Sequence, residues 1–383
     1  MPRTRIPPTP LRARLQRLVL LSLVVVVVVT TPLDGGALPS WGELGGTTSP
    51  DTTQPTGARA PQSEHGVPEL AAAAKRKGKG KKKRGKRRHK RRGGSQTPAA
   101  PAPAPSQDAV LLAAGDIARC GGRPGDEATA ALLDRRAGTV AALGDFAYES
   151  GTPEEFAQCY DPSWGRHKSR TRPTVGNHDY LTPGAAGYFS YFGAAATPLD
   201  PNCRSSCGGY YSYDLGSWHI VVLNSNCGKA GGCGTSSPQG QWLRADLAAH
   251  PTTCTLAYWH HPRFSFDVGG GGGNTTQVQP LWQALYEAGA EIVLTGHAHN
   301  YQRYAPLDAS GARDPGRGIR QFVVGTGGAN FTPLAETLPP TAEVGNDETF
   351  GILQLTLHPT SYNWQFIPEA GQSFTDSGSG SCH

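Results

Sequence analysis

Five short motifs carry the residues able to do chemistry: Gly115-Asp116, Gly144-Asp145-Phe146-Ala147-Tyr148, Gly176-Asn177-His178-Asp179, Trp259-His260-His261-Pro262 and Gly296-His297-Ala298-His299. They offer carboxylate, amide, phenol and imidazole groups and need no thiolate. That donor set suits iron, manganese or zinc rather than a soft-metal site. Asp116, Asp145, Tyr148, Asn177, His260, His297 and His299 are candidate ligands, too many for one tetrahedral ion. A carboxylate able to bridge, such as Asp145, points to a two-metal cluster. Ions ~3.5–4 Å apart can clamp both the attacking and the leaving oxygen of an in-line displacement. Singly, each motif has a plainer reading: Gly-Asp after a strand is usually a turn or a cap, and Asn177 and Asp179 are common turn formers. Their order, most of them at strand ends, is what carries the signal.

The elements that must position them are legible as apolar runs that stop abruptly. AVLLAAGD (109–116), TVAALGD (139–145), TCTLAYWHH (253–261) and EIVLTGH (291–297) read as buried strands, as do WHIVVLNSN (218–226) and RQFVVGTGG (320–328). Helices are expected over 125–136, 239–250 and 277–288, the second opened by Ser237-Pro238. TFGILQLTL (349–357) and SYNWQFI (361–367), joined by His358-Pro359-Thr360, predict a hairpin. The sum is an α/β domain of two sheets with helices outside them. In open α/β sheets ligands gather where the carboxyl ends of strands converge, and a Gly before the ligand lets the chain turn sharply.

Composition divides the chain into unlike parts. Residues 108–383 hold nearly all the aromatic side chains, and there 16 Lys and Arg face 25 Asp and Glu, a net of −9. The whole-chain charge of +6 therefore comes from the N-terminal part, and the folded domain is not itself a basic surface. Arg3 to Arg17 followed by the apolar run Leu18 to Val29 reads as a signal peptide over 1–37, too short for the ~20 residues of a membrane span. The alternative is an uncleaved anchor. Residues 38–107 read as a disordered linker. It contains a basic tract, 75–92, with 14 Lys or Arg in 18 positions, and a Pro/Ala spacer at 97–107. The tract is either a charged spacer or a ligand for an anionic partner such as a cell-surface polymer, lipid headgroups or nucleic acid. The catalytic domain is expected over 108–370, with 371–383 as a tail. All eight cysteines lie in the folded part and no CxxC pair is present, which favours disulfides in an oxidising compartment. Spacing does not fix their connectivity; Cys120–Cys159 and Cys227–Cys233 are the pairs offered.

In order and spacing, residues 108–370 resemble the calcineurin-like metallophosphoesterases, and the purple acid phosphatase branch in particular. The resemblance implies a four-layer αββα sandwich of two mixed sheets flanked by helices. It also implies one metal ion on Asp116, Asp145, Tyr148 and His299 and a second on Asp145, Asn177, His260 and His297, with Asp145 bridging. The wider family usually has Asp-x-His at the first motif; here Ala118 stands in place of that His. The purple branch uses the GDxxY tyrosine instead, a slot Tyr148 fills, so the ions are expected to be iron with zinc, manganese or a second iron.

By the same resemblance His178 faces the phosphate, where it either stabilises the developing charge or protonates the leaving alkoxide, Asp179 orients it, and His261 and Arg303 are further substrate contacts. Asn300 or Tyr301 is expected at the mouth, and the loop 269–273 and insert 184–207 are expected to shape the pocket. The implied activity is a secreted, binuclear phosphomonoesterase, acting by attack of a metal-bound hydroxide. A phosphodiesterase or nuclease on the same centre is the alternative within enzymes. A surface-binding protein that has lost catalysis is the alternative outside them.

Overall fold

Apolar runs that stop at glycine form strands where the sequence predicts them. The computed structural model describes residues 108–122, 125–269 and 273–383. The leader over 1–37 and the linker over 38–107, with its basic tract, lie outside the described residues. In chain order the main elements are β1 (Ala109–Ala114), β2 (Ala118–Arg119), α1 (Gly125–Asp134), β3 (Thr139–Ala142), β4 (Ala147–Tyr148) and α2 (Pro153–Glu155). Then come β5 (Thr171–Pro173), α3 (Ala186–Phe192), β6 (Tyr211–Leu215), β7 (Trp218–Val222), α4 (Pro238–Ala249), β8 (Cys254–Tyr258) and α5 (Gln279–Glu287). The rest is β9 (Ile292–Thr295), β10 (Tyr301–Leu307), β11 (Ile319–Val324), β12 (Ala342–Asn346), β13 (Gly351–His358), β14 (Ser361–Pro368) and β15 (Ser377–Ser381).

These strands build two mixed sheets, ordered β15-β14-β13-β1-β3-β5 and β12-β10-β11-β9-β8-β7-β6, with a short ribbon of β2 and β4 beside them. The centre of each sheet is parallel: β1, β3 and β5 in one, and β7, β8, β9 and β11 in the other. Period-2 alternation decides what each face meets. Ile220, Val222, Leu256, Tyr258, Ile292 and Leu294 belong to the core shared with the first sheet. Their neighbours Val221, Ala257 and Val293 belong instead to a second core with Leu243 of α4 and Leu281, Trp282 and Leu285 of α5. Ala130, Leu132 and Leu133 of α1 join the first core. Both sheets thus carry helical cover, and the metallophosphoesterase sandwich stands. At α4, Ser237 Oγ accepts from the Gly240 N–H and Pro238 occupies the first turn, as the sequence predicts.

Two details differ from expectation. The domain does not end at 370: β15 pairs along β14 from Ser361↔Ser381 to Gln365↔Ser377. Cys382 then bonds to Cys254 at the foot of β8. The offered pairs Cys120–Cys159 and Cys227–Cys233 are present, joined by Cys203–Cys207, and no cysteine is free. Among the described residues no helix is long and apolar enough to cross a membrane.

The Cys254–Cys382 bridge spans 128 residues and ties the chain end to a central strand. Replacing both cysteines by serine is expected to lower the unfolding free energy by about 2–4 kcal/mol in urea denaturation. An unchanged midpoint and slope would show that the bridge adds nothing beyond the pairing of β15 with β14.

Candidate metal centre

The parallel strands of both sheets point their carboxyl ends at one place. Asp116 follows β1, Asp145 follows β3, Asn177 and His178 follow β5, His260 follows β8, and His297 and His299 follow β9. Main-chain bonds hold the two edges together: Gly115 N–H donates to Val324 O at 2.9 Å, and Gly327 N–H to Gly115 O at 2.8 Å. The approach is so close that glycine is required at two positions. A Cβ on Gly176 would stand 2.0 Å from Asp145 Oδ1, and one on Gly296 would stand 2.6 Å from Asp116 Oδ2. Asp116, Asp145 and His297 each adopt left-handed backbone, with φ of 62°, 53° and 69°. Non-glycine residues seldom do so, and such strain persists where the surroundings over-determine it.

Asp145 lies at the middle of the set. Its Oδ1 accepts the His178 N–H at 2.8 Å. Its Oδ2 is 3.2 Å from both Tyr148 Oη and His260 Nε2. On one side Tyr148 Oη also lies 3.0 Å from Asp116 Oδ1 and 2.9 Å from His299 Nε2. On the other, His260 Nε2 is 3.0 Å from Asn177 Oδ1, and Asp145, His260 and His297 bring one ligand atom each within 4.8 Å of one another. The seven candidate ligands are therefore brought together, with Asp145 shared by the two halves.

Their chemistry asks for cations. His260 Nδ1 is 2.8 Å from Leu143 O and must donate to it, so Nε2 of the neutral ring presents a lone pair to two oxygens that can only accept. Burial pulls the His260 pKa down, but the charge and hydrogen bond of Asp145, the charge of Asp116 and the Leu143 carbonyl together outweigh it and raise the pKa to about 9. Burial likewise raises the Asp116 carboxyl, yet His299 and His260 outweigh it and hold it below the usual range. Burial, and then the charges of Asp116 and Asp145, push the Tyr148 phenol well above its ordinary value. His299 Nδ1 is buried without a hydrogen-bond partner, while its Nε2 faces Tyr148 and Asp116. A pair of metal ions fits this donor set.

Around the ligands the expected roles divide. The His178 ring lies 4.5 Å from that of Tyr148 and remains partly exposed, with Nδ1 2.6 Å from Glu149 O. Asp179 is not the group that meets this ring. Wholly buried, it accepts the backbone N–H groups of Gly176, Asp145 and Phe146 at 2.8, 3.2 and 3.4 Å, so it braces the ligand loops instead. Burial and then Asp145 raise its pKa to about 8. His261 is at the site: its ring is 4.4 Å from that of His297, and Nδ1 is 2.8 Å from Ser225 Oγ. Burial and then His260 and His297 hold its pKa well below the ordinary histidine value.

Arg303 is elsewhere. It lies mid-strand in β10, where Nε and Nη2 grip both oxygens of Asp376 at 2.7 and 3.1 Å, beside Glu343 and over the Trp364 ring. Asn300 is buried against Thr332, and Tyr301 donates to Asp376, so neither lines the mouth. Ser225, which the sequence reading passes over, both accepts from the His261 N–H and meets its ring. Its place just past β7, another parallel strand end, was the available signal. A cleft of about 640 Å³ opens beside His261 and takes in Gly273 from the end of the loop 269–273. Within the insert 184–207, Thr197, Leu199, Cys203 and Cys207 line a separate cavity of about 160 Å³ instead.

The calcineurin-like phosphoesterase family matches residues 99–301, more than half of the chain. The chain belongs to that family. Among curated relatives, it is 29% identical over 187 residues to purple acid phosphatase 21 of Arabidopsis thaliana, covering 45% of this chain and 41% of the relative. Acid phosphatase A of Cryphonectria parasitica is 27% identical over 205 residues, 44% of this chain and 38% of that relative. The chain thus spans about two fifths of the length of the curated relatives it matches. By fold it is similar to the purple acid phosphatase PPD1 of yellow lupin (Lupinus luteus) seeds, with a TM-score of 0.54 and 18% identity over 73% of this chain and 55% of that one. GAP50, the anchor in the inner membrane complex of Plasmodium, has the same fold at a TM-score of 0.52 and 11% identity, over 70% of this chain and 88% of that one.

The brace at Asp179 can be tested apart from turnover. Asp179→Leu strands three buried N–H groups and is expected to lower the unfolding free energy of the metal-loaded protein by about 3 kcal/mol. Asp179→Asn keeps an acceptor and should cost clearly less; equal losses in chemical denaturation would show that the hydrogen bonds are not what matters.

Proposed function

We propose that the chain is an exported phosphomonoesterase built on two metal ions. The observation that carries this reading is the ring of seven donors gathered around Asp145. Asp116, Tyr148 and His299 would hold one ion with it, and Asn177, His260 and His297 would hold the other. Ions in such a pair neutralise phosphate charge and lower the pKa of water they bind. The protein's own groups do the rest. Asp145 sets the two positions relative to each other through a side chain fixed by the His178 N–H. With Nδ1–H donating to Glu149 O, the imidazolium form of His178 has its second N–H, at Nε2, left to give its proton to the departing alkoxide, which returns the ring to neutral. His261, held by Ser225, walls the side on which the alcohol of the substrate lies. The four disulfides suit the oxidising compartment to which the leader over 1–37 would deliver the chain. Tyr148 against the carboxylates favours a ferric ion in the first position, with zinc, manganese or a second iron in the other.

Metal content, visible absorption and turnover of p-nitrophenyl phosphate, measured together, test the proposal. Two ions per chain including iron, a tyrosinate charge-transfer band lost in Tyr148→Phe, and hydrolysis are expected. Asp145→Asn should lower kcat/KM by at least the roughly 10³-fold that loss of one charge-stabilising group costs, with circular dichroism unchanged. Turnover without the band would remove the ferric ion alone. Faster hydrolysis of bis(p-nitrophenyl) phosphate would replace the monoesterase by a diesterase, and no hydrolysis of either would end the proposal.

The proton donor has a signature of its own. His178→Ala should slow hydrolysis of an alkyl phosphate by about 10²-fold, within the range of general acid catalysis. Its effect on p-nitrophenyl phosphate should be much smaller, because that leaving group needs no proton. Equal losses on both substrates would assign His178 to charge stabilisation instead.

A further inference from the structure

The cleft beside the centre has a composition that discriminates between alcohols. About 640 Å³ in volume, it has His261 on its wall and is lined as well by Ser225, Asn226, Lys229, Asn274, Thr276 and Gln277. The His261 ring is 4.4 Å from that of His297, so the cleft begins one side chain away from the donors around Asp145. Among the described lining residues the His261 imidazole is the one aromatic ring, and no Phe, Tyr or Trp offers a nucleobase or aryl group a second face on which to stack. Amides and hydroxyls at Asn226, Asn274, Thr276 and Gln277 offer donors and acceptors for a hydroxylated chain.

Lys229 is the one ammonium or guanidinium group among the lining residues. It is exposed, and its side chain makes no ion pair with any described residue. In a domain of net charge −9 an unpaired cation at that place is a local well for anions. Its backbone is also fixed. The Cys227–Cys233 bridge closes the loop, and the Lys229 N–H donates to Asn226 O at 2.8 Å. Asn226 Nδ2 in turn donates to Val175 O at 3.2 Å, two residues before Asn177. The lysine-bearing loop and the ligand loop therefore share an anchor.

Resting on the phosphomonoesterase reading, we infer that the cleft selects phosphomonoesters of short hydroxylated alcohols that carry a second anionic group. Lys229 is the residue that reads that second charge. The scissile phosphate occupies the centre, the hydroxyls lie along the amide-lined wall, and the distal anion meets the ammonium.

Gluconate 6-phosphate and glucitol 6-phosphate separate this from the general activity, since they share one scissile phosphate and differ only by a carboxylate at the far end. With the metal-loaded full chain, kcat/KM is expected to favour gluconate 6-phosphate by about tenfold, the size of one charge-assisted hydrogen bond. That ratio should fall to about one in Lys229→Ala, invert in Lys229→Glu and return in Lys229→Arg. A wild-type ratio near one, or a ratio that Lys229→Ala leaves in place, would overturn the inference while p-nitrophenyl phosphate turnover preserves the general reading. Loss of turnover on all three substrates in the wild type would overturn that reading itself.

Discussion

Two buried carboxylates set the terms for the rest of this structure. Asp116 and Asp145 share the oxygen of Tyr148, and both are shut away from water. Buried charges of one sign are tolerated only where cations or donors answer them. Imidazoles at His260 and His299 and the main-chain N–H groups of His178 and His297 give part of the answer. Because those groups come from both sheets, the electrostatic demand of one small volume dictates how the two layers meet.

The backbone accommodates that demand at a local cost. Left-handed conformations at Asp116, Asp145 and His297 turn the chain out of the strands so that the side chains look inward. Glycines at 176 and 296 let neighbouring loops come closer than a Cβ would allow. Asp179 then accepts the amides that this sharp turning leaves without strand partners. The cost is offset by the large apolar layers on either side, where Trp218, Trp259 and Trp282 are completely buried.

Most of the centre is legible in the sequence because Asp116, Asp145, His260 and His297 stand at the ends of apolar runs, and strand ends are where such runs announce themselves. The three helices and the terminal hairpin fall within a few residues of their expected places for the same reason. What is not legible depends on direction and on distant pairing. Arg303 follows closely on the last ligand motif, yet the alternation of β10 turns it toward Asp376. Asp179 stands beside His178 in the chain, but it serves the main chain rather than the imidazole. β15 has no apolar pattern at all. Its Ser-Gly alternation exists because Trp364 and Tyr362 cover Gly378 and Gly380, where a Cβ would come within 2.3 and 2.4 Å of the rings. Cys254–Cys382 follows from that edge pairing, which local sequence cannot reveal.

The placement of β1 has a bearing on how the chain is made. The first strand of the domain lies between β3 and β13, with Ala109 opposite Leu357. Its sheet therefore cannot close until almost the whole polypeptide exists, and contacts of such sequence separation form slowly. The second sheet, built wholly from strands between Tyr211 and Asn346, has no such wait. A strand that carries no ligand, β13, is thus the one that fixes β1, and with it Asp116, in its final place.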